Sequence, residues 1–73
     1  MRLLYINNLG GGFADYVNVT DGITVEQFFQ DQMPHEQAED YLIRVNRQPV
    51  PRDCVLQQND RVTLTPVKIE GAA

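Results

Sequence analysis

Only one stretch of this chain repeats its apolar residues at helical spacing. It is Ile23-Thr24-Val25-Glu26-Gln27-Phe28-Phe29-Gln30-Asp31-Gln32-Met33, in which Val25, Phe28 and Phe29 fall on one face. Thr24 is an N-cap residue, and Gln27 three positions later completes a capping box. Ile23 before the cap and Phe28 at the fourth helical position suit a hydrophobic staple. Pro34 biases Met33 away from helix and ends the element. Nearly everything else with a pattern alternates, as strands do. A single short helix must therefore cover the apolar face of a sheet.

Four strands are predicted. Residues 2–7, RLLYIN, pair apolar with apolar as a buried strand does, and Asn7 to Gly12 is a turn. Residues 14–20, ADYVNVT, place Val17 and Val19 on one face and complete a hairpin. Residues 34–40 read as a polar connection or a frayed turn. Residues 41–46, YLIRVN, set Tyr41, Ile43 and Val45 against Leu42, Arg44 and Asn46. A turn is expected at Arg47-Gln48, between prolines a short segment follows, and RDCVLQ has room for one helical turn. After Gln58-Asn59-Asp60, residues 61–67 alternate again, Val62 and Leu64 inward and Arg61, Thr63 and Thr65 outward. The expected architecture is α+β: a four-stranded mixed sheet packed on one helix, first and last strands central. That is a ubiquitin-like β-grasp, with a domain over 1–67 and a flexible tail over 68–73.

Size bounds the function. A chain of 73 residues buries only roughly 60% of its unfolded surface. It cannot enclose both a core and a deep substrate pocket, which argues against a self-contained enzyme. Cys54 is the single cysteine, so no internal disulfide forms, and a cytoplasmic location is expected. The apolar run Leu3 to Ile6 is far too short to span a membrane. A net charge of −4 argues against nucleic-acid binding. The charge is uneven. Residues 1–40 hold seven carboxylates and one base, Arg2, whereas residues 41–73 hold five bases and three acids. Either this is an ordinary solvated surface, or an acidic helical side and a basic sheet side steer a partner.

Several chemistries find no support. Gly10-Gly11-Gly12 lacks the lysine and hydroxyl residue of a phosphate loop and joins two strands. His35 has no partner set for a metal. Cys54 beside Arg52 has no base placed by sequence and reads as a half-buried structural cysteine. The carboxylates form no acid–base pair. No catalytic or metal-binding residue is assigned.

The second half carries an ordered series: Val45-Asn46, Val50, Leu56, Asn59-Asp60, Val62 with Leu64, and Pro66-Val67. This series resembles the small sulfur-carrier proteins of the MoaD/ThiS families of molybdopterin and thiamine biosynthesis. Val50-Pro51-Arg52 is similar to the thiamine branch and Thr65-Pro66-Val67 to the molybdopterin branch. Each matched residue also has a structural role, Asn46 in a left-handed or side-chain-closed turn and the prolines in an irregular segment.

The resemblance implies a non-catalytic carrier whose C-terminal glycine carboxylate is adenylated by a partner enzyme. The ATP belongs to that partner, and the carrier itself needs no cofactor. Sulfur then replaces the adenylate, giving a thiocarboxylate. This chain departs from the pattern where Gly-Gly is expected: it reads Glu70-Gly71-Ala72-Ala73. Three readings stay open. A processing peptidase exposes Gly71, or the partner accepts alanine, or conjugation is lost and only a binding module remains. By analogy with ubiquitin-like folds, the outward residues Leu42, Arg44, Arg61, Thr63 and Thr65 form the expected partner footprint.

Overall fold

The computed structural model describes residues 1–9 and 11–67. Gly10 and residues 68–73 lie outside the described residues, and with them the tail positions Glu70, Gly71, Ala72 and Ala73.

The helix forms where its spacing predicts, as α1, Val25–Gln32. Its start shows why. The first N–H groups of any helix lack intrahelical acceptors. Here the Val25 amide donates to the Cys54 carbonyl and the Glu26 amide to the Arg52 carbonyl, both at 2.9 Å. The Gln27 amide donates to Thr24 Oγ1 at 3.2 Å, and the Thr24 amide to Gln27 Oε1 at 3.1 Å. Thr24 and Gln27 thus make the expected capping box, and such a cap stabilises by about 1 kcal/mol. Ile23, flanking the cap, and Phe28 are both buried. At the other end the Met33 amide closes on the Phe29 carbonyl at 2.8 Å, and Pro34 stops further winding.

Five strands surround it: β1, Arg2–Asn7; β2, Phe13–Asn18; β3, Tyr41–Val45; β4, Gln48–Pro49; and β5, Arg61–Pro66. Their order is β2-β1-β5-β3-β4. The first and last strands are central and parallel, and every other pairing is antiparallel. A short 3₁₀ helix, Ala38–Asp40, occupies the connection before β3. Gly12 closes the β1–β2 turn at φ +86°, a conformation that favours glycine.

The strand count corrects the expected four. Asn46 and Arg47 both adopt positive φ, 54° and 72°. Two successive left-handed residues make the tight turn whose twist suits a hairpin, so the chain folds back one residue earlier than Arg47-Gln48. Arg44 then pairs with Pro49 and Val45 with Gln48. A proline is tolerated there because β4 is an edge strand.

The segment RDCVLQ is also corrected. It holds no helical turn. The Cys54 amide closes a β-turn on the Pro51 carbonyl at 3.1 Å, and Val55 then bridges Thr24. The carbonyls of Arg52 and Cys54 are drawn to the open amides of α1, which a local helix would have turned elsewhere.

The core lies between α1 and the sheet. Val25, Phe28 and Phe29 meet Leu3, Val62 and Leu64, all essentially inaccessible. Phe28 stands edge-on to Tyr5 at 5.2 Å, and Phe29 is tilted against Tyr41 at 5.4 Å. No polar or charged residue is buried among the described residues. Truncating Phe28 to alanine would cost about 3–5 kcal/mol, most of what so small a domain has.

Candidate functional site

The sheet has a second face, turned away from α1. Strand alternation sends Ile43, Val45, Val62 and Leu64 to the core, which leaves Leu42, Arg44, Arg61, Thr63 and Thr65 on the outer side. The β3–β5 register sets Leu42 opposite Thr65 and Arg44 opposite Thr63. The residues expected from sequence to share one face are therefore brought together. Leu42, Arg61, Thr63 and Thr65 are half-buried, and Arg44 is exposed.

The face is wider than the sequence indicated. β1 runs beside β5 with Leu4 next to Arg61 and Ile6 next to Thr63. β2 continues the rows, with Tyr16 opposite Leu4 and Ala14 opposite Ile6. Leu4 and Ile6 are half-buried by these neighbours, and Tyr16 is exposed. The signal for them was present in RLLYIN, where both alternating sets are apolar. One set, Leu3 and Tyr5, belongs to the core. The other lies on the outer face.

The described strand residues of this face carry charge of one sign, and Asp60 stands at its lower end. Arg2, Arg44 and Arg61 lie on the face, while the only carboxylate on a described strand, Asp15, sits opposite Tyr5 on the other side of the sheet. Glu26 and Asp31 are on α1, and Glu36, Glu39 and Asp40 lie between α1 and β3. The Arg2 guanidinium lies 4.7 Å from the Tyr16 ring centroid, a cation–π contact that flattens it over the sheet. The Arg61 Nε is buried and has no hydrogen-bond partner among the described residues.

The lower end of the face is braced. The Arg61 amide donates to Asn46 Oδ1, and Asn46 Nδ2 donates to Asp60 Oδ1, each at 3.0 Å. Asp60 Oδ2 accepts from the Gln57 amide at 2.8 Å. At the upper end Asn8 Nδ2 donates to Thr65 Oγ1 at 3.0 Å. There Pro66 pairs with Tyr41, and the Val67 amide donates to the Asp40 carbonyl at 3.0 Å. The described chain thus arrives at Val67 alongside the Leu42–Thr65 row.

Other candidates stay apart from this face. His35 is exposed after α1, as expected. Cys54 is half-buried, its Sγ in only a weak 3.9 Å contact with the Val55 carbonyl. No cluster of potential metal ligands exists among the described residues. Nor is any described helix long and apolar enough to cross a membrane. The shallow cleft between the 3₁₀ helix and the β1–β2 turn, lined by Leu9, His35, Glu36, Asp40, Tyr41 and Pro66, is not continuous with the arginines. In it the Tyr41 hydroxyl donates to Glu36 Oε1 at 3.0 Å. Burial first, and then the hydrogen bond and charge of Glu36, raise the Tyr41 phenol above its ordinary value.

A five-stranded mixed sheet with central parallel first and last strands and one helix across it defines the ubiquitin-like β-grasp class. The chain is similar to a solved structure described as a ubiquitin-like protein from the hyperthermophilic archaea Caldiarchaeum subterraneum. The TM-score is 0.69 at 13% sequence identity, covering 94% of this chain and 99% of that one. No family model matches the chain, and no curated protein sequence matches it. The likeness is one of fold.

Proposed function

We propose that this protein is a small non-catalytic carrier of MoaD/ThiS type. It presents its C-terminal residues to an adenylating partner, which supplies ATP and activates Gly71 after a peptidase removes Ala72 and Ala73. The partner docks on the outer sheet face. The observation that carries this reading is the convergence of Arg2, Arg44 and Arg61 around Leu4, Ile6 and Leu42, with no strand carboxylate among them. A cationic rim around an apolar centre steers an acidic surface into register and then buries apolar area against it. That face also leads directly to Val67, the last described residue.

The chemistry asked of the tail is simple. A terminal carboxylate attacks the α-phosphorus of ATP, pyrophosphate leaves, and a sulfur nucleophile then displaces AMP from the acyl carbon. A glycine without a Cβ passes through the narrow channel such a step requires. A second reading, a binding module that docks through the same face without tail chemistry, is favoured by the sequence itself. Ala72-Ala73 stand where the carriers it resembles end in Gly-Gly.

Intact-mass spectrometry of the protein purified from its own host separates the two. A chain ending at Gly71, or one carrying a thiocarboxylate, is the expected result. A chain ending uniformly in unmodified Ala73 would overturn the carrier reading and leave the binding module.

A further inference from the structure

The sheet has two open edges, and they are protected differently. β4 is only two residues long and contains a proline, which blunts it. β2 runs six residues and is exposed along its length apart from half-buried Val17. Met1 and Val19 exchange hydrogen bonds, amino group to carbonyl and amide to carbonyl, both at 2.8 Å. That exchange fixes the phase of the ladder. Val17, Asp15 and Phe13 are the residues bonded to β1, so Ala14, Tyr16 and Asn18 turn their backbone groups away from it. The central amide of that outward set is already taken: the Tyr16 N–H donates to Asp15 Oδ1 at 2.8 Å.

We infer that the β2 edge is able to pair with a second copy of this chain, and that Asp15 keeps the native protein monomeric by occupying the Tyr16 amide. The edge is self-complementary. A two-fold axis through the sheet at Tyr16 sets Tyr16 against its mate, Asp15 against Val17 and Ala14 against Asn18. No like charges fall directly opposite each other in that register, and the two Asp15 carboxylates become diagonal neighbours on one face. Phe13 and Tyr16, 52% and 58% exposed, gain cover on opposite sides of the sheet. The obstacle is the carboxylate. To admit the second strand it must leave the Tyr16 amide and lie beside the apolar Val17, where nothing pairs with it.

Sedimentation across a concentration series tests this with three variants. Wild type and Asp15→Asn, which keeps an acceptor oxygen, remain monomeric. Asp15→Val, which has no acceptor, frees one amide per copy and favours strand structure, dimerises at least about tenfold more tightly than wild type. Adding Ala14→Pro to Asp15→Val blocks an outward amide without touching the β1 ladder and restores the monomer. A folded Asp15→Val protein that stays monomeric, or a dimer indifferent to Ala14→Pro, overturns the inference. Amide exchange in the wild type gives a test that needs no variant. The Tyr16 amide should exchange more slowly than those of Ala14 and Asn18, and equal rates would remove the role given to Asp15.

Discussion

Asn46 joins the fold to the candidate face, and replacing it separates two of its contributions. Its backbone sits at φ 54°, and its side chain both accepts from the Arg61 amide and donates to Asp60. Asn46→Gly keeps the left-handed backbone at no steric cost and loses both side-chain hydrogen bonds. At roughly 0.5–1 kcal/mol each in this exposed setting, that is about 1–2 kcal/mol. Asn46→Ala loses the same bonds and also places a Cβ in the left-handed region, adding about 1 kcal/mol. The expected losses are therefore about 1–2 kcal/mol for glycine and about 2–3 kcal/mol for alanine. In a domain of this size each kcal/mol lowers Tm by roughly 4–8 °C. Urea unfolding followed by circular dichroism, with m held common, measures both. Equal losses would refute the backbone argument. No loss in either variant would refute the claim that the Asn46–Asp60–Arg61 network braces the face.

Two further outcomes follow from the same geometry. Changing Arg44 and Arg61 together to glutamate reverses the sign of the outer face without touching the core. It should slow capture of the native partner on an immobilised chain at least tenfold at low salt, with a difference that shrinks as salt is added. Unchanged capture by a folded double variant would remove the docking face. The raised phenol of Tyr41 makes a pH prediction. Its neutral form is favoured in the folded state, so the associated stability is present below the ordinary value of 10.0. It is lost as pH rises from there through the folded value. Denaturant midpoints should fall over that alkaline window, and Tyr41→Phe should flatten that part of the fall.

What could be read from the sequence was whatever local chemistry decides. Thr24 and Gln27 announce the helix start because their side chains answer a demand made within one turn. Alternation in 41–45 and 61–66 separates core from surface because a strand has only two faces. That Leu42, Arg44, Arg61, Thr63 and Thr65 share a face followed from that alternation once the strands became neighbours. Leu4 and Ile6 escaped notice because an apolar residue on an outer face looks the same as one in a core. Pro49 concealed β4, since a proline argues against a strand until its place on an edge is known. Arg47 gave no sign of a left-handed turn, which its neighbour Asn46 imposes with the help of Asp60 and Arg61. The segment 52–57 takes its shape from amides on α1, a demand no local pattern records.

The central pairing of β1 with β5 carries a consequence for the chain during synthesis. The Leu4 amide waits for the Asp60 carbonyl and the Asn8 amide for the Leu64 carbonyl, each at 2.9 Å in the finished fold. A nascent chain that has emerged only as far as β3 holds the residues of one hairpin and one short helix, each marginal on its own, and no middle to its sheet. The sheet closes only once β5 is available, and the distance in sequence between its two central strands slows that step.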